Sequence, residues 1–124
     1  MNRGIITISE MGAVIIPTAP VWMTQFEIAD LIGVFSCNIR KAIQSIYKNK
    51  ELDEIETQKY IRQTDGISYD VYNIELVIAV AFRIYSKESA LFRRFIISEI
   101  SATKKETSIT LFLSCGRRGN PWYS

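Results

Sequence analysis

The sequence predicts an α+β fold, and three observations carry that prediction. Short β-branched runs flank turn signals at two places, Ser9–Gly12 and Asp65-Gly66. Between them, "TQFEIADLIGVFSCNIRKAI" has apolar residues at helical spacing on both sides of one glycine, Gly33. Beyond the second turn signal, "IELVIAVAFRIY" and "KESALFRRFIISEI" read as two more helices. Short hairpins interspersed with helices define a mixed domain, not a regular βαβ sheet.

A chain of 124 residues is long enough for one core but not two. Its 48% apolar and 23% charged residues are ordinary for a globular protein. No segment approaches the ~20 apolar residues that cross a bilayer, so no membrane partner is expected. Met1-Asn2-Arg3 leads at once into an alternating stretch, so a signal peptide is not expected. Cys37 and Cys115 stand far apart and the chain has no histidine, which removes the common zinc sites and every histidine base. No metal or cofactor is expected, and a cytoplasmic location with both thiols reduced is the simplest reading. The net charge of +2 leaves nucleic acid open; what matters is where the charges sit.

Each element has a local cause. Ile5–Ile8 and Ala13–Ile16 are the arms of an N-terminal hairpin, and Pro17 and Pro20 end it. Thr24 followed three residues later by Glu27 is a capping box, and Met23 with Ile28 supplies the hydrophobic staple. A helix therefore starts at Gln25, and Gly33 ends it by taking the left-handed conformation of a C-cap. Ser36 is the expected cap of a second helix, residues 36–48, with Ile39, Ala42, Ile43 and Ile46 inward. "ELDEIE" reads as a solvated acidic stretch. Asp65-Gly66 predicts a two-residue hairpin turn with both residues at positive φ. Asn73 caps the central buried helix, and Ser86 restarts a last one with Leu91, Phe95 and Ile96 inward. Ser108–Ser114 looks strand-like, and "GRRGNPWYS" looks like a loop or arm. The expected organisation is a winged helix-turn-helix domain over 1–103, with a C-terminal strand or tail over 104–124.

A helix-turn-helix that reads DNA needs a small residue at the helix crossing, a turn residue free to take positive φ, and apolar anchors on both sides. Ala29, Gly33 and the set Ile28, Ile32, Val34, Ile39 and Ile43 meet those demands. With Gln25 as the first position, Ala, Gly, Val and Ile fall at the fifth, ninth, tenth and fifteenth. Over these residues the chain resembles the helix-turn-helix of phage Cro-type repressors.

The outward face of the second helix separates a groove-binding helix from a merely solvated one. No acid occurs from Gly33 through Asn49. The expected DNA-binding residues are Gln25, Phe35, Ser36, Cys37, Asn38, Arg40, Lys41, Gln44 and Lys48. Arg40 and Gln44, one helical turn apart, are the candidate base readers; Ser36 and Asn38 suit bases or phosphates; Lys41 and Lys48 suit phosphates. In the hairpin, Lys59, Arg62 and Gln63 are the candidate wing contacts, with Asp65 and Asp70 opposing phosphate. Arg93-Arg94 reads as helix-surface charge, and Arg117-Arg118 as either a phosphate-seeking arm or a solubilising tail.

From Trp22 to about Phe95 the chain also resembles the N-terminal region of the RhuM family of bacterial virulence-associated proteins. The shared features, in order, are "VWMTQFEIADLIGV", "IYKNKELDE", "DGISYDVYNIELVIAV" and "FRIYSKESALFRR". The resemblance implies a DNA-binding role in a mobile-element setting. Family members are longer, and after Arg94 this sequence departs from their pattern.

Together these readings predict a sequence-specific binder of double-stranded DNA, a transcriptional or mobile-element regulator acting as a homodimer. The alternative is an antirepressor-like protein-interaction domain on the same scaffold, for which Phe35 and Cys37 are the less polar residues. No small-molecule substrate or enzymatic activity is expected, since no glycine-rich phosphate loop, metal cluster or nucleophile–base pair occurs.

Overall fold

A computed structural model describes the backbone of residues 2–116 and the side chains of residues 2–102. The expected arm at Arg117-Arg118 lies outside the described residues. The fold is mixed α+β, with two small antiparallel sheets. In chain order the elements are β1 (Thr7–Ile8), β2 (Val14–Ile15), β3 (Trp22–Met23), α1 (Gln25–Ile32), α2 (Ser36–Lys48), α3 (Glu54–Thr57), β4 (Gln58–Arg62), β5 (Ser68–Asn73), α4 (Ile74–Arg83) and α5 (Lys87–Gly116). Met1–Arg93 forms one compact unit and Arg94–Ser124 another.

β1 and β2 pair with Thr7 opposite Ile15. The larger sheet has the order β3-β5-β4, so β5 is central. The sequence pattern does not mark strand β3: Trp22 pairs with Asn73 and Met23 with Tyr72, which places the expected staple residue, Met23, in the core at 0% exposure. Two residues carry too little pattern to announce a strand, and only the arrival of β5 beside them makes one.

Both hairpins close in the same way. Ser9 N–H donates to Ala13 and Gln63 N–H to Ile67, while Gly12 and Gly66 donate back to Ser9 and Gln63. The glycines take φ of 86° and 91°. Each loop thus has three residues ending on a left-handed glycine, a pattern that widens the hairpin by a bulge. The two-residue turn expected at Asp65-Gly66 is corrected accordingly: only Gly66 is at positive φ. Asp65 instead accepts the Ile67 N–H at 3.0 Å, which an aspartate in a turn does well.

The helix boundaries follow the capping chemistry, with corrections. Thr24 and Glu27 form the reciprocal capping box of α1, and Gly33 ends it at φ 75°. Asn73 caps α4 by accepting the Leu76 N–H at 3.2 Å. Helix α2 spans the expected residues, but its N-cap is Phe35, with no side-chain cap bond, and Ser36 is its first helical residue. "ELDEIE" is not a plain solvated stretch. Asp53 caps the short α3, and Glu51 pairs with Arg83. In α5 the buried aromatic is Phe92 at 0% exposure, whereas Leu91, Phe95 and Ile96 are half-buried. Ser108–Ser114 lies within α5 and is not a strand. Its β-branched residues follow an uninterrupted helical run with no glycine or proline before Gly116. Propagating a helix costs less than nucleating a strand that lacks a partner.

The core of the first unit gathers Ile6, Met23, Ile28, Ile32, Ile39, Ile46, Val71, Leu76, Val77, Val80 and Phe92, all at 0–1% exposure. Helix α2 packs on α1 and on α4, so one face is fixed and the opposite one is left outward.

Candidate nucleic-acid interface

The site is built from the α1–turn–α2 unit. The Ala29 carbonyl accepts both the Gly33 and Val34 N–H groups, at 2.8 and 3.2 Å, which turns the chain sharply in three residues. Ile28, Ile32, Ile39 and Ile43 are buried, and Val34 is half-buried. Ala29, 7% exposed, is the small residue on the α1 face.

One contact that local sequence did not announce holds this turn from behind, and a second side chain lies close to it. The Ser86 hydroxyl donates to the Ile32 carbonyl at 2.6 Å, satisfying an end group of α1. A Cβ at Gly33 would stand 2.5 Å from the Glu88 carboxylate. The φ of 75° favours glycine at position 33, and the lack of a side chain there also lets Glu88 lie close. Ser86 belongs to a second reciprocal cap: its Oγ accepts the Ser89 N–H, and Ser89 Oγ accepts the Ser86 N–H, both at 2.9 Å. The spacing Ser86-x-x-Ser89 was the available signal, but its reach to Ile32 across the chain was not.

The α1 N-terminus is fixed with similar care. Arg3 donates to both Glu27 oxygens and to the Trp22 carbonyl. Burial by itself would raise the Glu27 carboxyl, but the Arg3 guanidinium and the Thr24 N–H outweigh it and hold the carboxyl below its usual range.

On α2, Cys37, Asn38, Arg40, Lys41, Gln44 and Lys48 are exposed, and Ser36 is half-buried. Phe35 is 80% exposed at the N-cap. Among the described residues the two ion pairs are Arg3–Glu27 and Arg83–Glu51, so Arg40, Lys41 and Lys48 have no carboxylate partner. Gln25 is half-buried, and its Nε2 donates to the Ser36 carbonyl at 3.1 Å. It ties the first turns of α1 and α2 together.

The hairpin residues differ from one another. Lys59 stands 4.3 Å over the Trp22 ring, a cation–π contact that occupies it. Gln63 donates to the Tyr69 hydroxyl at 3.2 Å. Arg62 is exposed and unpaired among the described residues. Arg93 is no plain surface charge. Its Nη1 donates to the Ala81 and Ile84 carbonyls at 2.9 and 3.3 Å, closing the C-terminal end of α4. Arg94 is exposed.

A hollow of about 730 Å³ lies among the N-terminal hairpin, α1 and the first turns of α5; no residue of α2 lines it. Among the described residues no group of three or more His, Cys, Asp and Glu is placed to hold a metal, and no helix is long and apolar enough to cross a membrane. Comparison with family models, curated proteins and solved structures gives no match.

Proposed function

We propose that the protein binds double-stranded DNA sequence-specifically, with α2 in the major groove, and serves as a transcriptional or mobile-element regulator. One observation carries this reading. The outward face of α2 presents Arg40, Lys41, Gln44 and Lys48 exposed, with no acid from Gly33 through Asn49 and no ion-pair partner among the described residues. An ordinary solvated helix mixes both signs or pairs them. A phosphate-lined groove favours cations without partners, and arginine and glutamine also bond to base edges.

The order β3-α1-α2-α3-β4-β5 with β5 between β3 and β4 supports reading the unit as a winged helix-turn-helix. In that reading Arg62 is the wing's phosphate contact, Lys59 is held by Trp22, and Gln25 acts by fixing α2. The similarity to the RhuM N-terminal region points the same way. A homodimer follows if the target is a palindrome, since two-fold protein symmetry matches two-fold operator symmetry.

The test is selection on random duplexes, followed by binding across salt concentrations. Wild type should enrich a defined site with salt-dependent affinity. Arg40→Ala with Gln44→Ala should lose about tenfold or more on that site. Equal binding by the double variant would remove α2 from the groove. Absence of any enrichment would favour the antirepressor-like protein-interaction reading, for which Phe26, 69% exposed on α1, is the supporting observation.

A further inference from the structure

Phe35 breaks two local rules at once. It is the N-cap of α2, where Ser, Thr, Asn or Asp ordinarily accepts an orphan N–H, and it makes no such bond. It is also a large aromatic left 80% exposed. Positions that defy local chemistry in this way are the ones where a function sets the residue. One turn along, Asn38 is exposed, and its Oδ1 lies 4.0 Å from the Cys37 sulfur. Its amide NH₂ donates to no group among the described residues. Phe35 and Asn38 border one hollow of about 500 Å³ together with Ala29, Asp30, Gly33 and Val34. Asp30 at that hollow repels phosphate, so whatever enters there does so by a base edge or an apolar group.

Resting on the DNA-binding reading above, we infer that the first turn of α2 selects A·T base pairs. Phe35 packs on the C5-methyl group of a thymine, and the Asn38 carboxamide bonds to N6 and N7 of an adenine. The N-terminal residues of a groove helix are those that meet base edges. Thymine's methyl is the only apolar projection of the four bases in the major groove, and asparagine fits adenine's adjacent acceptor and donor. The exposed cations farther along α2, Arg40, Lys41 and Lys48, supply the charge complementarity that brings this turn to the duplex.

The probe is the duplex selected from a random pool, with each thymine replaced in turn by deoxyuridine, which lacks only the methyl. At one or two positions wild type should bind the uracil duplex about fourfold more weakly, the worth of one buried methyl. Phe35→Ser should bind the thymine and uracil duplexes equally while keeping its dependence on salt. Serine is the better N-cap, so that variant does not lose discrimination through an unfolded α2. Asn38→Ala should relax the preference at a neighbouring A·T pair by about tenfold or more. A selected site without thymine, indifference of wild type to every uracil, or a thymine preference that survives in Phe35→Ser overturns the inference while leaving DNA binding intact. No enriched site at all overturns the DNA-binding reading itself.

Discussion

The Arg3 guanidinium holds the Glu27 carboxylate at both oxygens, Nη1 at 2.7 Å from Oε1 and Nη2 at 3.1 Å from Oε2. Because Glu27 also completes the capping box of α1, one carboxylate fixes a helix end and anchors the N-terminal segment. Its charge is what both partners need. The folded carboxyl titrates below its ordinary value, so its contribution is present above the unfolded value near 4.5 and is lost as pH falls through the lower folded one. Glu27→Gln should lower stability by about 1–2 kcal/mol at neutral pH and flatten the acid limb of the stability profile. Denaturant titrations between neutral and acidic pH check both; an unchanged acid limb would mean that other carboxylates set it.

Behind the turn, Ser86 and Ile32 form the second relationship that the binding face depends on. Ser86→Ala removes the donor to the Ile32 carbonyl and the cap of α5 together, and should cost about 1–2 kcal/mol in chemical denaturation. Gly33→Ala should cost a similar amount, because alanine at φ 75° is strained whatever the space around it. The Glu88 carboxylate is the flexible end of a side chain and moves aside cheaply. Adding Glu88→Ala to Gly33→Ala should therefore recover little of the loss. Full recovery would show that the clash with Glu88 governs the site, and that backbone strain is minor.

Lys50 is the one non-glycine residue at positive φ among those described, at 57°, just after α2 ends at its C-cap Asn49. The left-handed position after a helix favours glycine. Lys50→Gly should stabilise the protein by about 0.5–1 kcal/mol, the strain relieved exceeding the entropy glycine adds to the unfolded chain. Thermal unfolding of the variant reads this as a higher midpoint. A lower midpoint would mean that the lysine side chain contributes more than its backbone costs.

Tyr72 sits in the central strand β5 at 7% exposure, and burial pushes its phenol up to about 12. The nearby Asp70 adds to the rise. A raised folded value gives stability that is present below the ordinary tyrosine value of 10 and is lost as pH climbs toward 12. The protein should lose stability steeply in that window. Tyr72→Phe should make the loss shallower, as followed by denaturant midpoints at alkaline pH.

Local chemistry in the sequence determined much of this protein. Thr24 with Glu27, Gly33, Asn73 and Ser86 mark helix ends because caps and left-handed glycines act within one turn of chain. The apolar stripe of α2 determined which of its residues would point outward, because helical periodicity divides the faces before any partner is known. Tertiary structure decided what depends on residues far apart in sequence. Strand β3 exists because β5 arrives beside Trp22 and Met23. Arg3 reaches Glu27, Ser86 reaches Ile32, and Lys59 lies over Trp22, and no local window holds both members of any of these pairs. The stretch Ser108–Ser114 shows the same limit from the other side: its β-branched residues favour a strand locally, and the helix propagating from Lys87 overrides that preference. So too does Phe35, whose sequence neighbours call for a cap and whose place in the fold leaves an aromatic ring open at the start of α2.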